Sequence, residues 1–145
     1  MTLRDAVIGD IDALMAIERA SFSVPWSEGS VFREIGADDG IFLVAERESR
    51  VVGFAIARLT VPDAELLNLA VEPQSRGFGV ASELLREILA RLETRGVTAV
   101  YLEVRQSNDA ARRLYERHAF ESVGRRRRYY DEPTEDAIVM RREIL

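Results

Sequence analysis

The sequence predicts a single α/β domain over residues 1–145, built on a mixed sheet of about seven strands flanked by four helices. Three observations predict this fold. A length of 145 residues suits one domain with a substantial core. A composition of 47% apolar and 31% charged residues is typical of a globular protein. Segments with strand and helix periodicity follow the order β-α-α-β-β-β-α-β-α-β-β, without repeats or linkers.

The first half of the chain is predicted to hold a strand, two helices and a hairpin. Residues 3–7 form the strand, and Gly9-Asp10 caps a helix that Pro25 brings to an end. Ser27 caps a second, short helix. Residues 41–46 and 51–60 read as strands around a tight polar turn, which predicts an antiparallel hairpin. The apolar positions of the two helices are Ile11, Leu14, Met15, Ile17 and Phe22, and then Val31, Phe32 and Ile35.

The second half is predicted to alternate strands with helices. A strand at residues 66–71 leads through a turn into a helix that ends at Gly96, where a left-handed residue belongs. Residues 97–104 form a strand, and Ser107-Asn108 caps the last helix. Two final strands cover residues 120–128 and 137–144. The apolar stripes of these two helices are Leu84, Leu85, Ile88, Leu89 and Leu92, and then Ala111, Leu114, Tyr115 and His118.

The composition excludes several classes of function. The absence of cysteine excludes disulfides, a thiolate nucleophile and cysteine-bound zinc, and a single histidine argues against a histidine metal site. No apolar run approaches the roughly 20 residues of a membrane span. The first residues lack the apolar core of a signal peptide, so we expect a cytoplasmic protein without membrane contact. A net charge of -5 argues against nucleic acid as the main partner.

The strand at residues 66–71 and the helix after it are predicted to bind an anion between them. The connecting loop contains two glycines, and the first turn of a helix has unpaired N–H groups and partial positive charge. Gly77 and Gly79 lack the Cβ atoms that would keep an anion away from the main chain. The loop is not a Gly-x-x-x-x-Gly-Lys loop, because the chain has no lysine, nor the Gly-x-Gly-x-x-Gly of dinucleotide folds.

Arg76, Gly79 and Ala81 fit the pattern Arg/Gln-x-x-Gly-x-Gly/Ala, which resembles the pyrophosphate loop of the GCN5-related N-acetyltransferases (GNAT superfamily). The predicted order of elements is also that of the GNAT fold, so the resemblance covers essentially the whole chain. Other segments resemble the RimI type, whose members acetylate the N-terminal alanine of a ribosomal protein. These segments are Phe22…Pro25-Trp26-Ser27-Glu28, Leu66…Asn68-Leu69-Ala70-Val71, Leu102-Glu103-Val104-Arg105, Leu114-Tyr115-Glu116, Arg127-Arg128-Tyr129-Tyr130 and Glu135-Asp136-Ala137-Ile138-Val139-Met140.

The resemblance implies that Glu103 is the general base and that Tyr115 is the acid for the departing CoA sulfur. Taken by its position alone, Glu103 is a strand-end carboxylate that an arginine could pair with. Tyr115 lies on an apolar helix stripe, which also suits a core aromatic with a satisfied hydroxyl. Asn108 caps its helix in any interpretation, and the resemblance adds a contact with CoA.

The resemblance also implies where the two substrates bind. Acetyl-CoA is the co-substrate and no metal is needed. The pantetheine arm is expected to run beside the main chain of the strand at residues 66–71, which precedes the glycine loop, like an added strand. Asn68 interrupts the apolar run of that strand, which is typical of a bulge or splay. The residues implied to bind acetyl-CoA are Leu69, Ala70, Val71, Arg76, Gly77, Phe78, Gly79, Val80, Ala81, Ser82 and Asn108. Those implied to bind the acceptor peptide are Trp26, Tyr129 and Tyr130.

The predicted function is direct transfer of an acetyl group to a protein N-terminal α-amine, with a ribosomal protein as the partner. Two alternatives stay open, an acetyltransferase for a small amine or a lysine and a non-catalytic acyl-CoA-binding protein. The run Arg125–Arg128 suits an edge strand that faces water, and we expect no direct nucleic-acid binding. Ala119 stands where the family commonly has glycine, which leaves open that this helix ends differently.

Overall fold

The computed structural model describes residues 1–144, in which seven strands and four α-helices follow the predicted order. The strands are β1 (Thr2–Asp5), β2 (Gly40–Arg47), β3 (Arg50–Thr60), β4 (Asp63–Val71), β5 (Ala99–Arg105), β6 (Glu121–Tyr130) and β7 (Glu135–Glu143). The helices are α1 (Ile11–Ser21), α2 (Glu28–Glu34), α3 (Val80–Thr94) and α4 (Asp109–Arg117). Short 3₁₀ turns at Ile8–Asp10 and Pro73–Ser75 come before α1 and α3.

The strands form one sheet in the order β1-β2-β3-β4-β5-β7-β6. The β4–β5 pair is parallel, because α3 carries the chain back between these two strands, and the other five neighbouring pairs are antiparallel. The mixed sheet predicted from the sequence is therefore confirmed. β6 lies at an edge of the sheet, and Arg125–Arg128 are exposed on it.

Helices cover both faces of the sheet and bury two apolar clusters. On one face the predicted stripe of α3 packs with Tyr115 of α4 against the sheet. On the other face α1 and α2 pack Leu14 and Val31 against strand residues that include Phe42 and Phe54. Each fully buried side chain of this size stabilises the fold by about 1.5–3 kcal/mol, so burial rather than helix propensity holds the helices in place. Within residues 1–144 no helix is both long and apolar enough to cross a membrane.

The caps predicted for α2 and α4 are confirmed, whereas Asp10 stands at the N-cap of α1 without a capping hydrogen bond from its side chain. Ser27 Oγ accepts a hydrogen bond from the Ser30 N–H at 3.1 Å at the start of α2. Asn108 Oδ1 accepts one from the Ala111 N–H at 3.1 Å at the start of α4. Gly96 follows α3 with a φ of +86°. These local signals depend only on residues three or four positions apart, which is why the sequence reveals them.

Other helix positions differ from the sequence interpretation. Phe32 is predicted in the core but is 52% exposed, because the seven-residue α2 buries a narrow stripe that carries Val31 and Glu34 instead. Phe22 is not part of the α1 stripe, since it follows the helix in an extended conformation. Ala119 takes a left-handed φ of +65° after α4. The last helix therefore keeps the end typical of glycine although alanine stands there.

β4 and β5 separate toward their carboxyl ends. Their parallel pairing covers three residue pairs and ends at Glu65 and Tyr101. The register of β4 against β3 also shifts, so that Leu67 becomes the extra residue of a bulge next to Asn68. The bulge predicted at this point is confirmed. It lies where the two strands part and leave a gap in the sheet.

Candidate active site

The gap between β4 and β5 opens into a cavity of about 520 Å³. This volume is typical of a small-molecule site. The walls come from β4 and β5, the first half of α4, the segment between α1 and α2, and the β6–β7 region. The predicted site residues that line it are Trp26, Leu69, Glu103, Asn108, Tyr115, Tyr129 and Tyr130. One cavity therefore contains both predicted catalytic residues and all three predicted acceptor-binding residues.

One wall of the cavity is the stretch of β4 beyond Glu65, whose edge pairs with no strand on the β5 side. The Glu72 N–H donates to β3 at 2.8 Å, and main-chain groups of a strand point alternately to its two edges. Leu69 and Val71 therefore face the gap, as the 2.9 Å bond from Arg76 Nε to the Val71 carbonyl also indicates. The Leu69 N–H lies 3.2 Å from Asn68 Oδ1. This edge is available to an extended ligand that pairs like a strand.

The loop that opens α3 has the geometry of an anion cradle. Gly77 and Gly79 have φ values of +85° and +81°, and a Cβ atom on either would meet nothing within 4 Å. Gly79 is the N-cap of the 15-residue α3 and offers no capping side chain. The first N–H groups of the helix are thus left for a ligand. Phe78 is 71% exposed, and the Arg47 guanidinium lies 5.7 Å from its ring centroid.

The other predicted cradle residues have protein partners. Arg76 turns back toward the body of the protein, where it bonds the Val71 carbonyl and lies 3.2 Å from Ser21 Oγ. Ser82 Oγ lies 3.1 Å from Nε2 of His118. Burial, followed by nearby arginines, lowers the pKa of that imidazole. Val80 is buried and Ala81 half-buried on the first turn of α3. The open part of the cradle is therefore its main chain rather than these side chains.

Glu103 lines the cavity from β5 and is also paired with an arginine. Arg126 Nε of β6 lies 2.9 Å from Glu103 Oε2, which is buried without hydrogen-bond geometry to any partner among residues 1–144. The Arg126 guanidinium also lies 5.7 Å from the ring centroid of Tyr129. The arginine pairing expected from the position of Glu103 is thus present, and it leaves the carboxylate in the cavity wall. A buried carboxylate oxygen that lacks a hydrogen bond is a place for a donor from a ligand, such as an ammonium group.

Tyr115 and Asn108 line the same cavity from α4. The Tyr115 ring packs edge-on against Phe120, with ring centroids 5.8 Å apart. Burial holds the pKa of the Tyr115 hydroxyl well above its ordinary value, so the group keeps its proton and can donate it. Asn108 uses its side-chain oxygen Oδ1 for the helix cap, which leaves its side-chain NH₂ group to donate elsewhere.

Aromatic side chains from two further segments complete the cavity. The rings of Tyr129 and Tyr130 lie edge-on, with centroids 5.0 Å apart. Arg105 stacks 4.6 Å from the Tyr130 ring and donates to the Asp131 carbonyl at 2.7 Å, which fixes the turn after β6. Burial raises the pKa of Tyr130 to about 12. Trp26 is half-buried on the segment between α1 and α2.

Two buried polar residues beside the site are missed by the sequence interpretation, Glu18 altogether and Asn68 in its bonding role. Glu18 is fully buried and accepts hydrogen bonds from the Trp26 N–H, at 2.7 Å, and from the Asn68 side-chain amide. A signal was present, because Glu18 stands seven residues after Ile11 and so on the apolar stripe of α1. Burial raises the pKa of Glu18.

The arrangement suits transfer of an acyl group from a phosphate-bearing carrier to an amine. A free strand edge and an open helix N-terminus can hold an extended, anionic carrier. A carboxylate and a protonated phenol can accept and donate the protons of the exchange. Among residues 1–144, no group of three or more acidic or histidine side chains is placed to hold a metal ion.

Comparison with known proteins points to the same chemistry. The profile of the "Acetyltransferase (GNAT) family" matches residues 11–120. The chain is 39% identical over 135 residues to the ribosomal protein bS18-alanine N-acetyltransferase of Salmonella typhimurium, covering 90% of this chain and 89% of that protein. It is 36% identical over 134 residues to the Haemophilus ducreyi protein of the same name, covering 90% and 92%. The crystal structure of the ribosomal-protein-S18-alanine N-acetyltransferase from Escherichia coli matches with a TM-score of 0.91 and 33% identity, covering 99% of this chain and 93% of that one.

Proposed function

The chain belongs to the acetyltransferase (GNAT) family, and we propose that residues 1–145 form one domain that acetylates the α-amine of a protein N-terminus. Acetyl-CoA is the acetyl donor. The observation that carries this proposal is the gap between β4 and β5. The β4 edge, the buried Glu103 Oε2 and the protonated phenol of Tyr115 all lie around the one cavity at this gap.

The donor side of the site consists mainly of main-chain groups. The N–H groups after Gly77 and Gly79 would hold the pyrophosphate, and Phe78 would lie beside it. The β4 edge at Leu69 and Val71 would pair with the pantetheine arm, while the main-chain groups of Ala70 between them face β3. An N–H group of this edge would also stabilise the negative charge that develops on the thioester oxygen. The free Asn108 NH₂ adds a donor on the α4 side.

Glu103 and Tyr115 move the protons. Glu103 accepts a proton from the acceptor ammonium, directly or through water, and the neutral nitrogen then attacks the thioester carbonyl carbon. Tyr115 donates its proton to the departing sulfur. One C–N bond forms and one C–S bond breaks. The attacking nitrogen also loses a second proton, which replaces the one that Tyr115 gave to sulfur, so one proton is released overall. An α-amino group has a pKa of about 7.7–8.0 against about 10.4 for lysine. An N-terminal acceptor is therefore much easier to deprotonate near neutral pH than a lysine side chain.

A peptide from a ribosomal protein is the acceptor that these observations favour. Trp26, Tyr129 and Tyr130 provide a broad aromatic wall for a chain rather than a small amine. The relatives with 36–39% identity are named for the alanine of ribosomal protein bS18, which supports the same acceptor in the cytoplasm. Arg125 and Arg126 pair with Asp136 and Glu103, so part of the arginine run is engaged within the protein rather than free for nucleic acid.

Release of CoA from acetyl-CoA with a panel of acceptors tests this function. The panel holds a peptide that begins Ala-Arg, its N-terminally blocked twin that contains lysine, and polyamines. We expect turnover only with the free α-amine. Turnover with the blocked peptide or polyamines would instead assign a side-chain or small-amine enzyme. No turnover with any acceptor, although acetyl-CoA binds in a direct measurement, would indicate a protein that binds acyl-CoA without transferring the acyl group.

Replacement of the base gives a second test. Glu103→Gln is expected to lower kcat by about 10²- to 10⁴-fold, because the acceptor loses its proton acceptor. The KM for acetyl-CoA should stay near the wild-type value, since main-chain groups hold the donor. Glu143→Gln on β7 is the matched control, because Glu143 is exposed and its ion pair among residues 1–144 is with Arg141 alone. Full kcat in the Glu103 variant would remove this residue from the mechanism.

A further inference from the structure

Glu18 is a buried carboxylate that the proposed reaction does not use. It lies on the last turn of α1, fully buried, and none of the salt bridges among residues 1–144 includes it. A negative charge at this end of a helix opposes the helix dipole, and burying a carboxylate without a cation costs stability. Glu18 therefore does not stand here to strengthen the fold, which points to a functional reason.

The two oxygens of Glu18 bind two different parts of the site. Oε1 accepts the N–H of Trp26 at 2.7 Å, on the segment assigned to the acceptor. Oε2 accepts the side-chain NH₂ of Asn68, beside the bulge of β4. The amide oxygen of Asn68 then lies 3.2 Å from the N–H of Leu69, on the edge assigned to acetyl-CoA. A single chain of hydrogen bonds thus runs from the acceptor segment to the donor edge.

We propose that Glu18 is a positioning residue that couples the acceptor segment around Trp26 to the acetyl-CoA edge of β4 through Asn68. The carboxylate needs both of its partners to be donors, so it fixes which way the Asn68 amide is turned. Asn68 then presents its oxygen to the Leu69 N–H rather than its NH₂ group. When a ligand pairs with that edge, the change reaches Trp26 through Glu18. This inference rests on the proposed function for the identity of that ligand, acetyl-CoA.

The hydrogen bonds can be broken and rebuilt without a change of shape. In Glu18→Gln the new NH₂ faces the NH₂ of Asn68, and turning Asn68 over moves the clash to the Leu69 N–H. In Asn68→Asp two carboxylates face one another in a buried place. In the double variant, the glutamine introduced on α1 accepts from the Trp26 N–H and donates to the aspartate introduced on β4, which still accepts from Leu69. All three hydrogen bonds are then restored, with the negative charge moved from α1 to β4.

Trp26 is the only tryptophan of the chain, so its fluorescence reports on the acceptor segment. The experiment titrates CoA into each variant, measures CoA affinity by calorimetry and follows Trp26 emission. The wild type should show an emission change that saturates with CoA. Both single variants should lose this change while still binding CoA, and the double variant should regain it. With the Ala-Arg peptide, kcat/KM should fall about 10- to 100-fold in the single variants and recover in the double variant.

Glu34→Gln is the control, because Glu34 is a buried carboxylate on α2 that pairs with Arg58 and lies outside the active-site cavity. It should respond to CoA like the wild type. The proposal is overturned if CoA leaves Trp26 emission unchanged in the wild type, if either single variant keeps the full response, or if the double variant fails to regain it. Should a single variant not fold, the double variant decides. Failure of the wild type to bind CoA would overturn the proposed function, and this inference with it.

Discussion

Tyr115 belongs both to the core and to the proposed chemistry. Its ring packs against Phe120 in the cluster under α3 and α4, and the residue also lines the cavity. The burial that stabilises the ring also keeps the hydroxyl protonated, because the phenolate would lose its hydration. A general acid must hold its proton until the leaving group needs it. Packing and proton donation therefore impose the same requirement on this residue.

Tyr115→Phe is expected to lower kcat by about 10²-fold or more with little loss of stability, because the ring is kept and the acid is removed. Since burial raises the pKa of Tyr115, the loss should be the same factor at every pH between about 6 and 9. The measurement is the pH profile of kcat. Tyr101→Phe is the control, since that hydroxyl bonds Arg141 outside the cavity. A loss confined to one limb of the profile would contradict this assignment.

The junction between α4 and β6 illustrates strain at the scale of an element. α4 must stop after nine residues so that Tyr115 faces the cavity and Phe120 can pack on it. The chain turns through Ala119, whose φ of +65° lies in the left-handed region that disfavours a Cβ atom. Ala119 is exposed, so its methyl group gains little from packing. The strain at Ala119 is tolerated because the packing of Tyr115 on Phe120, on either side of the turn, determines the path of the chain.

Ala119→Gly is expected to raise the free energy of unfolding by about 1 kcal/mol, because glycine removes the strain of the left-handed conformation. Denaturant titration measures it. Ala90→Gly is the matched control, since Ala90 is exposed in the middle of α3, where glycine should cost about 1 kcal/mol. The same chemical change should thus have opposite signs at the two positions. Destabilisation at both would mean that the turn at Ala119 is not strained.

At the scale of the whole molecule, the sheet stays continuous except where the site requires a gap. Antiparallel neighbours hold β1 to β4 on one side and β5, β7 and β6 on the other, and a short parallel contact joins the halves. Ion pairs secure the far edge of the first half. Arg4 of β1 binds Asp10 at 2.9 Å and Glu46 at 2.9 Å, which joins β1, the start of α1 and β2. These ion pairs lie at the β1 edge of the sheet, away from the gap between β4 and β5.

The Arg4–Asp10 pair gives a pH dependence of stability. The hydrogen bonds from Arg4 hold the pKa of Asp10 below its ordinary value, so this stabilisation is full above the unfolded pKa and is lost as the pH falls through the folded pKa. Asp10→Asn should cost about 1–3 kcal/mol at pH 7 and progressively less in acid. Urea unfolding at several pH values measures it. Asp5→Asn is the control, because Asp5 is exposed and its pair with Arg91 should contribute little. A cost that grows in acid would contradict the assignment.

The sequence by itself determines what depends on near neighbours along the chain. Periodicity and capping residues reveal the order of elements, the caps at Ser27 and Asn108 and the turn at Gly96, because each involves contacts within one helical turn. The glycines of the cradle are visible for the same reason. The resemblance to a known family adds the remaining candidate site residues. The structure places them around one cavity, at the end of β4, and in the loop and first turn of α3.

Only the tertiary structure decides which distant side chains meet. Glu18 and Asn68 are 50 residues apart, and Glu103 meets Arg126 from a strand that is not its neighbour in the sheet. Periodicity assigns a face to each of these residues but not a partner on another element. Phe32 is misplaced for a related reason, because the burial of a short helix depends on what packs against it. The gap that creates the site is likewise a property of the sheet, since it arises where the pairing of β4 with β5 stops.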